Sequence, residues 1–522
     1  MRWTPGERIS VPLLKTLRFQ RLTARDGLWG APLWLRVGLV TLALLLFALR
    51  FKDRDLVTYI LDEPQLQDAA QSNAQAAQWA SISVLRGTQG KRYGPAPLWF
   101  YTAVHRVAGP LPERSILATT LLLTLAQLGL ALAVARALRG GAVLFSTLAA
   151  LLASSPYLFF WARSGWDNPL LGAVVALAVA VLLCPRLPAL LRGVLLGLLL
   201  GLGLSTHLMA IPFTVAVLAV LLLEARRRGV PSLRTLATLL AVALVVNLPY
   251  LRALSQEPPS AAPAWQHWGG LGEALGRVGL QFLEPARVTT TAGVEYFFDG
   301  AFTAFARSLG AWSWVLTFAP ALSALLAFLA LLGLLAARSS GSTGARTLGT
   351  LGLLLWVGHA LFLGLPALQI EPHYQQPTVW LIASGCGALA MALLPRRPPA
   401  AWLLIGGLWA VALTDAGFIE VWMGWVREHG GTAGNHYSVP LSAQRAFLKE
   451  ACSTDRPGVA LANRTLLFPH SLLSLSETEP ACAGKRIAVC PGNCPPLDAQ
   501  WRVVSLRYAA PPGGRLAPIS RP

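Results

Sequence analysis

The chain has 522 residues, of which 54% are apolar and only 13% are charged, and its formal net charge is +19. It is too long and too apolar for one soluble core, and its apolar residues fall in blocks of roughly 16 to 25, the length that crosses a bilayer as a helix. This composition excludes a soluble enzyme and predicts an all-α polytopic membrane protein. The arginines cluster in short loops between apolar blocks, so membrane orientation explains the positive charge without nucleic acid as a partner.

Residues 1–33 are polar and basic, and no small-residue cleavage site follows a short apolar core. We therefore expect a cytoplasmic tail and not a signal peptide. Residues 34–417 form the predicted membrane domain, with about eleven spans. The predicted spans are 35–49, 115–135, 141–161, 168–183, 190–205, 208–223, 234–249, 311–337, 347–365, 377–394 and 400–417.

This arrangement makes every predicted inner loop basic, as the positive-inside rule requires. The arginines concerned are Arg136, Arg139, Arg186, Arg192, Arg226, Arg227, Arg228, Arg234, Arg338, Arg346, Arg396 and Arg397. The expected location is a bacterial inner membrane, with the N-terminus in the cytoplasm. Residues 96–109 are apolar but too short to cross comfortably, so we predict a helix that lies in the interface.

The first predicted outer loop, residues 50–114, carries the adjacent carboxylates Asp62 and Glu63 soon after the first span. Acids in this position indicate a polar pocket at the membrane surface. A solvated pair of charges beside the membrane is the alternative.

Three further segments fall on the same predicted face: 163–169, 250–309 and 369–375. In the first, Asp167 is either a site residue or the N-cap of a helix that has Pro169 in its first turn. The long second loop contains aromatic and polar residues that would form either a lid or a set of interface anchors. These residues are Trp265, His267, Trp268, Tyr296, Phe297, Phe298 and Asp299.

Residues 418–522 lose the apolar blocks and are predicted to form a small domain on the outer, periplasmic face. Four cysteines lie there: Cys452, Cys482, Cys490 and Cys494. An even set in an exported domain predicts two disulfides, with three pairings open and a tight loop between Cys490 and Cys494 as one option. A zinc site is the weaker alternative, because the cysteines are not spaced as two CxxC pairs.

The order of these parts resembles the glycosyltransferase C superfamily, in the branch that includes protein O-mannosyltransferases and lipid A aminoarabinose transferases. Gly94 and Ala96 stand where the family motif has His and Pro. The resemblance rests on short motifs in a shared order: Asp62-Glu63, Ala69-Ala70, Gly94 to Leu98, Glu113-Arg114, Ser155-Pro156, Arg163 with Asp167, Gly201 to His207, and His373-Tyr374 with Pro377.

The resemblance implies transfer of a sugar from a polyprenyl-phosphate donor to a protein, lipid or glycan acceptor on the outer face. It implies that Asp62 is the general base, that Glu63 orients the acceptor or the base, and that Asp167 completes the acidic site or positions a sugar hydroxyl. One carboxylate suffices because a phosphate diester leaves as a monoester without needing a proton. The expected outcome is inversion at the sugar carbon.

Positive or donor groups are needed for the leaving phosphate, and arginine suits it because its fork donates two hydrogen bonds. For each candidate the alternative is an anchor at lipid headgroups or, for His207, a packing residue. The candidates for the donor phosphate or sugar are Lys91, Arg92, Arg163, His207, Arg252, His373 and Tyr374.

Asp53-Arg54-Asp55 has the spacing of a metal-binding carboxylate pair, but it adjoins the end of a span and lacks surrounding soluble strands. We assign no metal ligands, and a divalent cation stays an option. Two other classes of protein also have many membrane spans: a transporter or flippase, and a noncatalytic assembly protein of the cell envelope. A transporter would carry ionisable groups at the middle of its spans, and an assembly protein would tolerate loss of Asp62.

Overall fold

The computed structural model describes residues 31–60, 62–86, 92–257, 270–298, 302–366, 371–429, 440–463, 469–491 and 500–506. Helices dominate its first half: α1 (Leu33–Ala48), α2 (Asp62–Gln75), α3 (Ala96–Ala108), α4 (Pro112–Leu138), α5 (Gly141–Ser154), α6 (Pro156–Ala162), α7 (Asn168–Leu182), α8 (Ala189–Thr206), α9 (Ala210–Arg228) and α10 (Val230–Ser255).

The second half continues with helices and ends in a small sheet. Its elements are α11 (Leu271–Thr289), α12 (Phe302–Ser308), α13 (Ser313–Arg338), α14 (Thr343–Gly364), α15 (Trp380–Leu393), α16 (Pro398–His429), α17 (Leu441–Cys452), β1 (Gly458–Asn463), α18 (Pro469–Thr478), β2 (Arg486–Pro491) and β3 (Trp501–Leu506).

Each predicted span coincides with a helix or with a pair of helices, so the prediction of a helical polytopic membrane protein is confirmed. Within the described residues, seven helices are long and apolar enough to cross a membrane, or eight if the bent pair α5–α6 forms one span. Helices α7 and α15 are apolar but shorter. The count of about eleven spans stays a prediction. Helix α16 continues to His429, beyond the predicted boundary at 417.

Helices α8 and α10 pack closely because small residues face the partner backbone. An added Cβ at Gly193 would lie 2.8 Å from the Thr235 carbonyl oxygen, and one at Gly197 would lie 2.6 Å from the Leu239 carbonyl oxygen. Glycines four residues apart share one helix face, which lets two membrane helices approach at backbone distance. This contact fixes the end of α8, where the site begins.

The bend between α5 and α6 follows from two neighbouring residues. Ser155 caps α6 by accepting a hydrogen bond from the Leu158 amide, and Pro156 occupies the first position of that helix. Proline has no amide to continue the bonding of α5, so the chain restarts at an angle of 69°. The bend directs the chain into residues 163–167.

The part of the chain after α16 contains a parallel three-stranded sheet in the order β2-β1-β3. Gly458 of β1 pairs with Arg486 of β2 and with Trp501 of β3. A disulfide joins Cys452 to Cys482, which confirms one of the open pairings and leaves neither sulfur for zinc. Cys490 is also disulfide-bonded, and Cys494 lies outside the described residues.

This C-terminal unit packs against the segment that precedes Asp62. The Leu441 amide donates to the Val57 carbonyl oxygen at 2.8 Å, and the Gln444 side chain donates to the Tyr59 carbonyl oxygen at 3.1 Å. Val57, Tyr59, Ile60 and Ile116 share one buried cluster with α17 and α18. The sheet-containing unit therefore supports the entry to the candidate site.

Candidate active site

Glu63 joins the loop after α1 to the loop between α6 and α7. It lies in the first turn of α2, where its Oε2 accepts a hydrogen bond from the Ile60 amide at 3.1 Å. Its Oε1 accepts one from the Gly165 amide at 2.6 Å. The side chain is 1% exposed. Burial raises the pKa of Glu63 to about 8, and these two amide donors oppose that rise. Glu63 thus links the segment before α2 to the loop before α7.

Besides the bond from its Gly165 amide to Glu63, the loop at 163–167 is held by hydrogen bonds that its backbone carbonyls accept. Two buried side chains of neighbouring helices donate to them, Gln67 to Gly165 at 3.1 Å and Tyr101 to Trp166 at 2.6 Å. Thr120 donates to the carbonyl just before the loop, that of Ala162, at 2.7 Å. His105 supports Gln67, because its Nε2 donates to the Gln67 Oε1 at 2.8 Å. Buried hydrogen bonds of this kind fix the backbone that carries Asp167.

Sequence reasoning missed these supporting residues. One signal was present: Gln67 follows Glu63 by four residues, so both lie on one face of α2 and meet the same loop. Tyr101 and His105 repeat that spacing on α3, whose buried face faces the site while Val107 is 90% exposed. The polar members of an otherwise apolar face were the clue.

Asp167 immediately precedes α7, but its side chain forms no capping hydrogen bond with that helix. The residue is 1% exposed, and its Oδ2 is buried without a hydrogen-bond partner. Burial and then the nearby Asp62 charge raise the pKa of Asp167, the backbone amides of Asp167 and Asn168 oppose that rise, and the resulting pKa is about 8. A buried acceptor with no partner costs free energy, which favours a role toward a ligand over a role as a cap.

Asp62 is less enclosed than Asp167 and lies close to it. Burial raises the pKa of Asp62 above its ordinary range, while a hydrogen bond with the Trp166 side chain lowers it. Because each carboxylate disfavours ionisation of the other, the two groups titrate as a pair. Asp167, with a pKa of about 8, holds its proton more firmly than the less buried Asp62.

Aromatic rings continue from these acids along one side of the site. The ring centroids of Tyr93 and His207 lie 4.6 Å apart, those of His207 and Tyr374 lie 5.6 Å apart, and those of Tyr374 and His373 lie 4.4 Å apart. His373 also lies 5.7 Å from Trp166. The structure therefore brings the predicted residues His207, His373 and Tyr374 together and adds Tyr93.

The tyrosines lie within electrostatic reach of the two acids. Burial raises the pKa of Tyr374 to about 12, followed by the charges of Glu371, Asp167 and Asp62. Burial and then Asp167 also raise the pKa of Tyr93 well above its ordinary value. Both hydroxyls stay protonated at neutral pH, so each can donate a hydrogen bond to an anion.

His207 lies at the break between α8 and α9 and is 3% exposed. The Met209 amide donates to its Nδ1 at 3.2 Å, so the ring proton of the neutral imidazole is on Nε2. Burial lowers the pKa of His207 to about 4. Without a bound anion, His207 is a neutral donor and not a cation.

The predicted arginines lie elsewhere or have other partners. The Arg163 guanidinium donates to the Asp53 carbonyl and, at 3.3 Å, to the Met423 sulfur. Arg92 pairs with Glu257, with Nε and Oε1 3.2 Å apart. Arg252 is exposed in the last turn of α10. Lys91 lies outside the described residues.

The aromatic residues of the long loop divide into two groups. Phe297 and Phe298 are fully buried and belong to the core, so they form neither a lid nor interface anchors. The Tyr296 hydroxyl lies 3.3 Å from the His373 Nδ1, at the edge of the site. Three predicted residues of this loop and Asp299 lie outside the described part of the chain: Trp265, His267, Trp268 and Asp299.

Asp53 contributes to structure at the entry to the site. It has a left-handed backbone with φ of 50°, and its carboxylate pairs with Arg427 at 2.6 Å. In the described residues, no group of three or more His, Cys, Asp or Glu side chains is arranged to hold a metal ion.

Two crystal structures of ArnT from Cupriavidus metallidurans are similar to the chain. The apo structure is 16% identical, covers 87% of this chain and 85% of its own, and gives a TM-score of 0.49. The structure bound to undecaprenyl phosphate is 14% identical over the same shares, with a TM-score of 0.46. No family model and no curated protein matches the chain. At this level of similarity the likeness does not extend to individual residues.

Proposed function

We propose that this protein is a membrane glycosyltransferase that moves a sugar from a polyprenyl-phosphate donor to an acceptor on the outer face of the membrane. The observation that supports it most is the pair Asp62 and Asp167. The two carboxyl groups interact, and Asp167 has a buried oxygen without a partner. The acids lie beside hydrogen-bond donors, in a protein with apolar helices of membrane-spanning length.

Asp62 is the proposed general base. It takes the proton from the acceptor group, whose electron pair attacks the anomeric carbon of the donor sugar. The bond from that carbon to the phosphate oxygen breaks, and polyprenyl phosphate leaves with the electron pair. Attack opposite the leaving group gives inversion. The raised pKa of Asp62 makes its carboxylate a stronger base than that of an exposed aspartate.

Asp167 has a different proposed task because it keeps its proton. As a neutral acid it donates a hydrogen bond to a sugar hydroxyl or a phosphate oxygen, as buried protonated carboxyl groups do in other enzymes. The Nε2 of His207 and the hydroxyls of Tyr93 and Tyr374 donate to the leaving phosphate. A bound phosphate would raise the pKa of His207, because an adjacent anion favours the charged imidazole. Arg92 already pairs with Glu257, so the proposed phosphate contacts are these neutral donors.

The test is sugar transfer by purified protein in lipid nanodiscs, supplied with a panel of labelled polyprenyl-phosphate sugars and an acceptor extract, with and without EDTA. Asp62→Asn keeps the shape of the side chain and removes the base. We expect a loss of about 10²- to 10⁴-fold, the usual contribution of general base catalysis.

Asp55→Asn is the matched control. Asp55 lies in the same loop but is exposed, so its substitution should leave transfer unchanged. Equal transfer by wild type and Asp62→Asn would refute the base assignment. Absence of transfer across the full panel would refute the class of donor. The EDTA arm decides whether a divalent cation takes part.

A further inference from the structure

A polar cavity lies between the end of α9 and the start of α14, far from the acidic site. Its volume is about 140 Å³, roughly ten times what one water molecule requires. Helix α9 begins beside His207, and Glu224 lies 17 residues further along it. A helix rises 1.5 Å per residue, so the cavity is about 25 Å from His207, near the opposite membrane face.

The carboxylate in this cavity, that of Glu224, has its charge balanced by an arginine. The Glu224 Oε2 pairs with Arg192 at 3.0 Å, and its Oε1 accepts a hydrogen bond from the Thr347 hydroxyl at 3.0 Å. Two more arginines line the cavity, Arg227 and Arg346. Arg346 donates to the Ser340 carbonyl at 3.1 and 3.0 Å, a neutral partner that leaves its charge uncompensated. Arg227 and Arg346 form no ion pair within the described residues, so the cavity has a net positive charge.

Hydroxyl groups face the same space. Thr343, Thr347 and Thr350 line the cavity from α14, at spacings of four and three residues that place them on one helix face. The Thr347 hydroxyl donates to Glu224. The hydroxyls of Thr343 and Thr350 are placed to donate hydrogen bonds to a ligand in the cavity. Two arginines with hydroxyl donors are the groups that recognise a phosphate.

The remaining wall is aliphatic, which selects a lipid over a free anion. Val220 and Leu223 line the cavity. Leu222 and Leu223 on α9 are 50% and 39% exposed, and Leu354 on α14 is 39% exposed. On helices of a membrane protein such exposed leucines face lipid chains.

We propose that this cavity binds an anionic phospholipid. The headgroup phosphate lies between Arg227 and Arg346, with hydrogen bonds from Thr343 and Thr350, and the acyl chains follow the leucines of α9 and α14. Basic pockets between helices on the cytoplasmic side suit such headgroups. The lipid stabilises the contact between α9 and α14, and this proposal does not depend on the reaction at the acidic site.

The experiment measures thermal melting of the full-length protein in phosphatidylcholine nanodiscs alone, with phosphatidylglycerol, and with inorganic phosphate. Native mass spectrometry counts the anionic lipids that remain bound. The pocket variant is Arg227→Gln with Arg346→Gln. The control is Arg396→Gln with Arg397→Gln, which removes the same charge from exposed positions on the same predicted face. Thr350→Leu fills the cavity and keeps both arginines, so it tests the site even if the loss of Arg346 unfolds the protein.

We expect phosphatidylglycerol to raise the melting temperature of wild type and of the control. The pocket variant and Thr350→Leu should need roughly tenfold more of it for the same shift, or more, since charge-assisted hydrogen bonds are lost or blocked. Equal shifts in pocket and control variants would refute the site and leave general surface attraction. Stabilisation by inorganic phosphate as large as that by the lipid would refute the lipid assignment.

Discussion

At the residue scale, Asp62 and Asp167 show how burial gives two identical side chains different protonation states. Burial raises the pKa of both, but that of Asp167 reaches about 8 because it is more enclosed and also faces the Asp62 charge. A base must be ionised and a hydrogen-bond donor must be protonated, so one site can contain both at neutral pH. The sequence placed both residues at the site and left open whether Asp167 was a helix cap.

This difference predicts the pH dependence of transfer. Activity should fall at low pH as Asp62 takes up a proton, and should fall again above about pH 8 as Asp167 loses its own. Asp167→Asn keeps an uncharged donor, so its profile should lose the alkaline limb and keep the acid limb. Its activity at neutral pH should lie within about tenfold of wild type, well above that of Asp62→Asn.

Initial rates from pH 5 to 10, with melting temperatures at each pH, check this prediction. An unchanged alkaline limb in Asp167→Asn would show that another group causes it. A loss as large as that of Asp62→Asn would show that Asp167 acts as an ionised carboxylate.

At the scale of elements, α18 holds helix α2 from outside the membrane bundle. The Ser474 hydroxyl donates to the Asp68 carboxylate at 2.6 Å and lies 2.9 Å from the Tyr59 hydroxyl, which therefore donates to it. Tyr59 precedes Asp62 by three residues, and Asp68 follows it on α2. One serine thus links both sides of the proposed base to the C-terminal unit. The Cys452–Cys482 disulfide holds α17 in that unit.

Ser474→Ala should lower stability by about 1–2 kcal/mol, because the buried Tyr59 hydroxyl and the Asp68 carboxylate each lose a partner. It should also reduce kcat more than it changes KM, since the displaced element carries the base and not the donor site. Ser476→Ala is the control, because among the described residues the Ser476 hydroxyl bonds within its own helix, to the Leu473 carbonyl. Thermal melting and steady-state kinetics on both variants test this, and equal effects would remove the positioning role.

At the scale of the whole molecule, the acidic site and the arginine-rich loops lie at opposite ends of the helices. The C-terminal unit packs beside the acidic site, so we expect the two on one face of the membrane. The positive-inside rule then assigns the other face to the cytoplasm.

Impermeant thiol labelling of intact cells tests this orientation. In a Cys184→Ser background, Asp455→Cys in the C-terminal unit should react from outside. Ser339→Cys, which follows α13 beside Arg338, should react only after the membrane is opened. Both positions are exposed. Labelling of Ser339→Cys in intact cells would reverse the assignment.

The sequence by itself determined the helical membrane class, the positions of the apolar helices and the segments that carry the acids. These follow from the lengths of apolar runs and the placement of arginines, which are local properties of the chain. Asp167 was identifiable as a candidate because it adjoins an apolar block, and Glu63 because it lies in the polar segment that follows one.

Only the tertiary structure decided which of the candidate groups meet. Arg163 is next to the site in sequence, yet its guanidinium is directed to Asp53 and Met423. Sequence reasoning missed Tyr93, which lies at the site beside His207, and Gln67, which supports the site through the Gly165 carbonyl. The physical reason is that side-chain contacts, burial and the resulting pKa shifts arise between segments far apart in the chain, and no local pattern records them.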